Sequence, residues 1–288
     1  MKIALGTAQF GLDYGIANAD GKVVEEHVSE ILFNANKFGI DTLDTAAAYG
    51  DSEACLGRNV KNNFKIITKL NSVPENNNNI NLWASEQLEN SLKKLNKKKI
   101  YAILLHRPQE LLNSNGTELY NALKEFKEKG LVEKIGISIY SPGELDELMQ
   151  KFNFDLVQSP LNIIDTRLVT SGWLDTLKNN QVEIHTRSSF LQGLLLMKKE
   201  EIPNKFMIWR NIWEKWHDWL ASRNISPLEA CLSYPLSFKE IDRVVVGVNN
   251  KNQLDEIISI ASNAKVNSFP EISSNELNLI NPSRWSLL

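Results

Sequence analysis

The sequence holds only two cysteines, Cys55 and Cys231, with no CxxC pair and no histidine nearby at ligand spacing. This argues against a disulfide framework and a structural metal, so inert, buried thiols in a reducing compartment are expected. Long apolar runs are missing too. The opening MKIALGTAQFG is too short an apolar stretch for a signal peptide, and no window approaches the roughly eighteen continuous apolar residues of a membrane span. We therefore expect a cytoplasmic protein with no membrane partner. An excess of one charge is absent, with 32 Lys and Arg against 35 Asp and Glu for a net −3. The lysines at 93, 94 and 97–99 form short runs, so they read as solvated helix ends and no nucleic-acid partner is expected. Finally, LGTAQFG lacks the GxGxxG spacing that follows the first strand of an open dinucleotide-binding sheet.

What is present is material for a core: 42% hydrophobic and 23% charged residues in 288. That length suits one large α/β unit or two ordinary domains. Short apolar strands are predicted at 2–5, 40–43, 64–68, 100–105, 134–139, 155–158, 182–186 and 243–246. Helical spacing separates them: Val24 to Ala35, a start at Ser52, the set Leu82, Leu88, Leu92 and Leu95, then 117–129, Pro142 onward, 174–178, Ser226-Pro227 to Pro235, and Leu254 to Ile258. A polar loop is expected over 74–79. About eight βα units with no composition break favour a single α/β domain over 1–288, a (β/α)8 TIM barrel, with 262–288 as an irregular tail.

A barrel demands that reactive groups come from the C-terminal strand ends and the loops beyond them. Asp44, Lys69 and His106 each follow the last apolar residue of strands two, three and four, and Tyr49 lies in the loop after strand two. Singly, each has an ordinary reading as a solvated or loop residue. Together, on consecutive strands, they fit proton transfer to a carbonyl. A phenol of pKa about 10 is a weak acid, and a lysine ammonium beside it, held by a carboxylate, is expected to lower that value. His106 could hydrogen-bond the substrate oxygen. None of these groups supplies a hydride, so a cofactor is implied.

The motifs themselves resemble the aldo-keto reductase family over nearly the whole chain. LGTAQFG from Leu5 resembles the family opening, with Thr7 on the cofactor side. DTAAAYGDSEACLG from Asp44 resembles the signature D-T-A-x-x-Y-G-x-S-E-x-x-L-G, and ITKL and LLHRP resemble the two further segments. The resemblance implies an NAD(P)H-dependent carbonyl reductase in which Tyr49 is the general acid, Lys69 and Asp44 tune it, and His106 positions the carbonyl.

The same resemblance assigns a cofactor side. Ser138 of GISIY and Gln158 match residues that grip the nicotinamide carboxamide, although Ile139 stands where Asn is usual. RSSFLQGLL, with Arg187, Ser188, Gln192 and Gly193, matches the segment that wraps the nicotinamide and pyrophosphate. Arg187 occupies the place of a stacking aromatic, so it is expected to stack by its plane or to bring charge to an anionic substrate. GVNNKNQLDE, with Gly247, Asn249, Lys251 and Gln253, matches the adenosine-phosphate segment. Only Lys251 remains there as a cation. We expect NADP(H) to be preferred, with NAD(H) as the alternative.

The stripe Trp209, Trp213, Trp216 and Leu220 in a helix over 206–220 is expected on the barrel's outer wall. The short tail suggests an open mouth and a bulky substrate. We expect a small-molecule carbonyl substrate, sugar-related in the family's range, and a monomer or weak homo-oligomer. Two further readings stand beside reduction: a nicotinamide-binding regulatory barrel with little turnover, and a lyase using Lys69 as a Schiff base.

Overall fold

The structure, a computed structural model, describes all residues except 62, 63, 76, 264, 265 and 267. Parts of the expected polar loop and of the expected tail thus lie outside the described residues. Eight parallel strands close in chain order into a barrel: β1 Ile3–Gly6, β2 Thr42–Asp44, β3 Lys65–Leu70, β4 Ile100–Leu105, β5 Val132–Ser138, β6 Leu156–Pro160, β7 Glu183–Arg187 and β8 Arg243–Gly247. The first strand meets the last, with Gly6 beside Gly247 on one side and Asp44 on the other. This bears out the (β/α)8 expectation. Among the described residues no helix is long and apolar enough to cross a membrane.

Side chains alternate along each strand. Ile67, Ala102, Leu104 and Leu156 form a small apolar cluster of their own, separate from the larger core shared by strands and helices. Residues two positions further along these strands, Lys69 and Gln158, and His106 just past β4, therefore sit toward the C-terminal mouth. At the opposite end Glu183 accepts hydrogen bonds from Tyr101 Oη (2.6 Å) and from Lys134, and its other oxygen pairs with His185 Nε2 (2.7 Å). That buried network closes the floor, where barrels place stabilising rather than reactive groups.

The helix Ser52–Asn59 starts at Ser52 as expected, with Asp51 in the cap position and no side-chain cap. The Ser52 hydroxyl is buried and donates to the Thr7 carbonyl at 2.8 Å. Several other expectations need correction. Leu82 is 55% exposed in the helix Ile80–Lys94, because Trp83, Ala84, Leu88 and Leu92 form its inner face. The aromatic helix breaks into a 3-10 segment, Asn204–Trp209, and an α-helix, Arg210–Arg223. Trp213 and Trp216 pack not on the outer wall but in a second core with Leu194, Leu195, Ile280 and Trp285. Their indole N–H groups donate to Phe206 O and Leu195 O, which satisfies both buried donors. The tail contributes short helices, Leu277–Ile280 and Pro282–Leu287, to that same core.

Candidate active site

Asp44 and Lys69 come from adjacent strands and form an ion pair of 2.7 Å, with side-chain exposures of 5% and 1%. Lys69 Nζ also donates to Thr45 O at 2.9 Å, and Gln158 Nε2 donates to the second Asp44 oxygen at 2.7 Å. Ser138 Oγ donates in turn to Gln158 Oε1 at 3.1 Å. A buried pair keeps both charges only if its remaining valences are satisfied, and this chain of bonds does so. Burial pulls the Lys69 ammonium below its usual range, and Asp44 opposes that pull.

Tyr49 stands over this pair. Its ring centre is 5.2 Å from Lys69 Nζ and 5.9 Å from the His106 ring, which meets it edge-on at 80°. The loop that carries it is held by backbone contact: a Cβ at Gly11 would lie 1.8 Å from Tyr49 O, and one at Gly50, whose φ is +53°, would lie 2.5 Å from Gly11 O. Neither position has room for a side chain. Hydroxyls reinforce the joint, with Thr7 Oγ1 and Thr45 Oγ1 at 2.9 and 3.0 Å from Ser52 Oγ.

The electrostatics depart from expectation at Tyr49. Burial raises the phenol well above its ordinary value, with Asp44 and Tyr14 adding to the rise and Arg187 opposing it. Burial outweighs the pull of the Lys69 charge, which Asp44 already answers at contact distance. His106 moves the other way, to about 4, through burial and the nearby charges of Lys69 and Arg187. Its ring is neutral at pH 7.

These groups open into a cleft of about 400 Å³, a volume within the range of small-molecule sites. Of the residues singled out from sequence, Thr7, Asp44, Tyr49, His106, Arg187, Ser188, Gln192, Gly193, Gly247, Asn249 and Gln253 line it. Lys69 lies buried beneath. Ser138 and Gln158 are also buried and bond to each other and to Asp44, away from the cleft lining. Lys251 is not brought to the cleft, since its ammonium pairs with Asp255 one helical turn on at 2.6 Å. Arg187 stacks, but on Tyr140, with its guanidinium 4.8 Å from that ring centre.

Sequence reasoning missed the roof. After β1 the chain runs across the cleft: Asn249 Nδ2 donates to Asn18 Oδ1 at 2.7 Å, and Gln192 Nε2 to Tyr14 Oη at 3.3 Å. A Cβ on Gly193 would meet Ala17 Cβ at 2.4 Å. One signal was available, because the connection from β1 to the helix Glu25–Lys37 is long for a βα loop, and long loops tend to be functional. Gln9, Tyr140 and Ser189 also line the cleft; they lie within the segments LGTAQFG, GISIY and RSSFLQGLL but were not singled out in them.

Comparison with known proteins agrees with this architecture. The profile of the Aldo/keto reductase family matches residues 2–274. An uncharacterized oxidoreductase, YqkF, of Bacillus subtilis is 24% identical over 95% of this chain and 94% of its own length. The L-glyceraldehyde 3-phosphate reductase of Escherichia coli K12 is 25% identical over 81% of this chain and 78% of its own. Among solved structures, the holo form of aldo-keto reductase AKR11C1 from Bacillus halodurans superposes with a TM-score of 0.73 at 19% identity, covering 93% of this chain and 88% of that one, and so shares the fold. With the family profile spanning nearly all of the chain and the barrel closed as that family requires, this protein belongs to the aldo-keto reductases.

Proposed function

We propose that the protein reduces an aldehyde or ketone reversibly to the alcohol, with NAD(P)H as hydride source and Tyr49 as proton donor. The observation that carries this reading is the convergence of Tyr49, Lys69 and His106 on one cleft over the buried Asp44. None of these side chains can supply a hydride to the carbonyl carbon; a nicotinamide bound in the cleft would supply it. Tyr49 keeps its proton across the physiological range, as a donor must, and releases it to the carbonyl oxygen as negative charge grows there. Lys69, 5.2 Å from the ring centre, stabilises the phenolate left behind, and Asp44 fixes the lysine. Neutral His106 donates a hydrogen bond to the same oxygen without competing for the proton. In the reverse direction the phenolate takes the alcohol proton.

The residues present fit a nicotinamide nucleotide. Glycines at 6, 193 and 247 keep the walls of the cleft free of side chains, and the Ser189 hydroxyl in its lining is buried without a partner. Thr7, Ser188, Gln192, Asn249 and Gln253 are the polar groups we assign to holding it. NADP(H) remains our preferred cofactor, with NAD(H) the alternative, although Lys251 must leave Asp255 to meet a phosphate. An aldehyde bearing a phosphate gives its name to one relative, which supports a small polar carbonyl as substrate. Two free, buried cysteines support a reducing, cytoplasmic setting.

The test is Tyr49→Phe. NADPH affinity, read by protein fluorescence, should stay within about twofold, while turnover of aldehydes, read by NADPH absorbance, should fall by roughly 10²–10⁴. Near-normal turnover in the variant would overturn the assignment of Tyr49. NADPH binding by the wild type with no carbonyl consumed would favour the regulatory barrel.

A further inference from the structure

Arg187 is the one residue of the mouth whose charge the mechanism leaves unused. It ends β7, two positions beyond the buried His185, and lines the cleft with Tyr49 and His106, close enough for its charge to act on both. Its side chain is fixed: Nη2 donates to Ile139 O at 2.9 Å, Nη1 to Ser188 Oγ at 3.2 Å, and the plane rests on Tyr140. A guanidinium has five N–H donors, and these bonds use two. Among the described residues no carboxylate comes within ion-pair distance of Arg187. Glu144, an acid close enough to feel its field, accepts instead from the backbone N–H groups of Tyr140 and Ser141, both at 2.7 Å.

A half-buried cation held rigid at a reaction centre, with no carboxylate in contact, costs free energy that an anionic ligand would offset. Ser189, two residues on, lines the same cleft, and among the described residues its hydroxyl, 2% exposed, has no hydrogen-bond partner. The sequence alone left open whether Arg187 merely replaces a stacking ring. In the structure one of its two faces rests on Tyr140, and three of its N–H donors have no protein partner among the described residues.

We infer that the carbonyl substrate carries an oxyanion, a carboxylate or a phosphate, and that Arg187 holds it in the cleft together with the Ser189 hydroxyl. This rests on the carbonyl-reductase reading and narrows its substrate to anionic aldehydes and ketones. It makes Arg187 the residue that sets specificity.

The test measures binding of three matched alcohols, glycerol, glycerate and glycerol 3-phosphate, by calorimetry to the full-length protein saturated with NADPH. With reduced cofactor these alcohols are not turned over, so binding is read apart from catalysis. At least one anion is expected to bind tenfold or more tightly than glycerol, and which one identifies carboxylate or phosphate. Arg187→Gln, measured at an NADPH concentration that saturates the variant, should erase that preference, and Arg187→Lys should retain part of it, which separates lost charge from lost folding. Equal binding of all three, or a preference that survives Arg187→Gln, overturns the inference. So does anion binding that NADPH abolishes, since Arg187 would then serve the cofactor phosphates. Carbonyl reduction that persists while these results fail leaves the proposed function standing; anion binding without any carbonyl reduction overturns that function alone.

Discussion

Asp44 and Lys69 meet at 2.7 Å with almost no solvent on either side chain. Lys69→Met strands the carboxylate in the interior with only Gln158 to answer it. The expected cost is about 3–5 kcal/mol of stability, measured by urea denaturation, with turnover lost. Combining it with Asp44→Leu should restore much of the stability and none of the activity. A single variant as stable as wild type would show that the pair does not hold the site.

His106 should stay neutral far below the usual imidazole midpoint. Its folded value, about 4, lies below the ordinary 6.5, so as pH falls the unfolded chain takes up the proton first. The imidazole thus removes stability progressively from pH 6.5 down to about 4, and the loss then levels off. Ring-carbon NMR shifts of His106, assigned by comparison with His106→Gln, should titrate near the lower value. An inflection at the ordinary one would show that the ring is solvated.

The Gly11 backbone sets where Tyr49 stands. Gly11→Ala places a methyl 1.8 Å from the Tyr49 carbonyl and 2.5 Å from Ser52 N. Stability should drop by about 1–3 kcal/mol and turnover by at least about tenfold, because the phenol shifts with its loop. Gly21→Ala is the control, since no atom lies within 4 Å of a Cβ there. Its φ of +74° predicts a stability cost of roughly 1 kcal/mol with turnover kept. Equal activity in both variants would remove Gly11 from the argument.

Glu183, at the far end of the barrel, should matter to folding alone. Burial would raise its carboxyl, but bonds from His185, Lys134 and Tyr101 hold it well below the ordinary 4.5. A depressed carboxylate stabilises the fold above the unfolded value and loses that contribution as pH falls below about 4.5. Glu183→Gln should therefore lower stability by about 1–3 kcal/mol at neutral pH, flatten the acid limb of a stability-against-pH curve, and leave kcat unchanged. An unchanged acid limb would show that the network carries no net stabilisation.

The placing of the ionisable residues at the mouth was legible because strand alternation and strand order translate directly into position. Asp44, Lys69 and His106 needed only the barrel to meet, and the long signature around Tyr49 fixed the rest. The cofactor side was harder to read because its residues are committed by tertiary contacts. Lys251 looked free in a list of residues, yet the i,i+4 spacing to Asp255 already offered it a helical partner. Ser52 was legible as a helix start, but not that Thr7, forty-five residues away, claims its hydroxyl. The expected depression of the Tyr49 pKa left out the burial of the phenol, which raises it. The aromatic stripe was rightly read as packing, but a second core beneath the C-terminal tail cannot be seen from the helix's own period.

The roof over the cleft has a consequence for the barrel as a whole. Asn18 follows the first strand and Asn249 the last, so their bond spans 231 residues and lies at the seam where the chain closes on itself. Gln9 against Gly247 and the paired backbones of β1 and β8 make the same seam. Contacts of such separation form at the highest loop-closure cost, and are natural candidates for the last to assemble. The wall of the cleft and the weld of the cylinder are thus one structure. A ligand seated there would read whether the circle is complete, and would bind only molecules whose two ends have met.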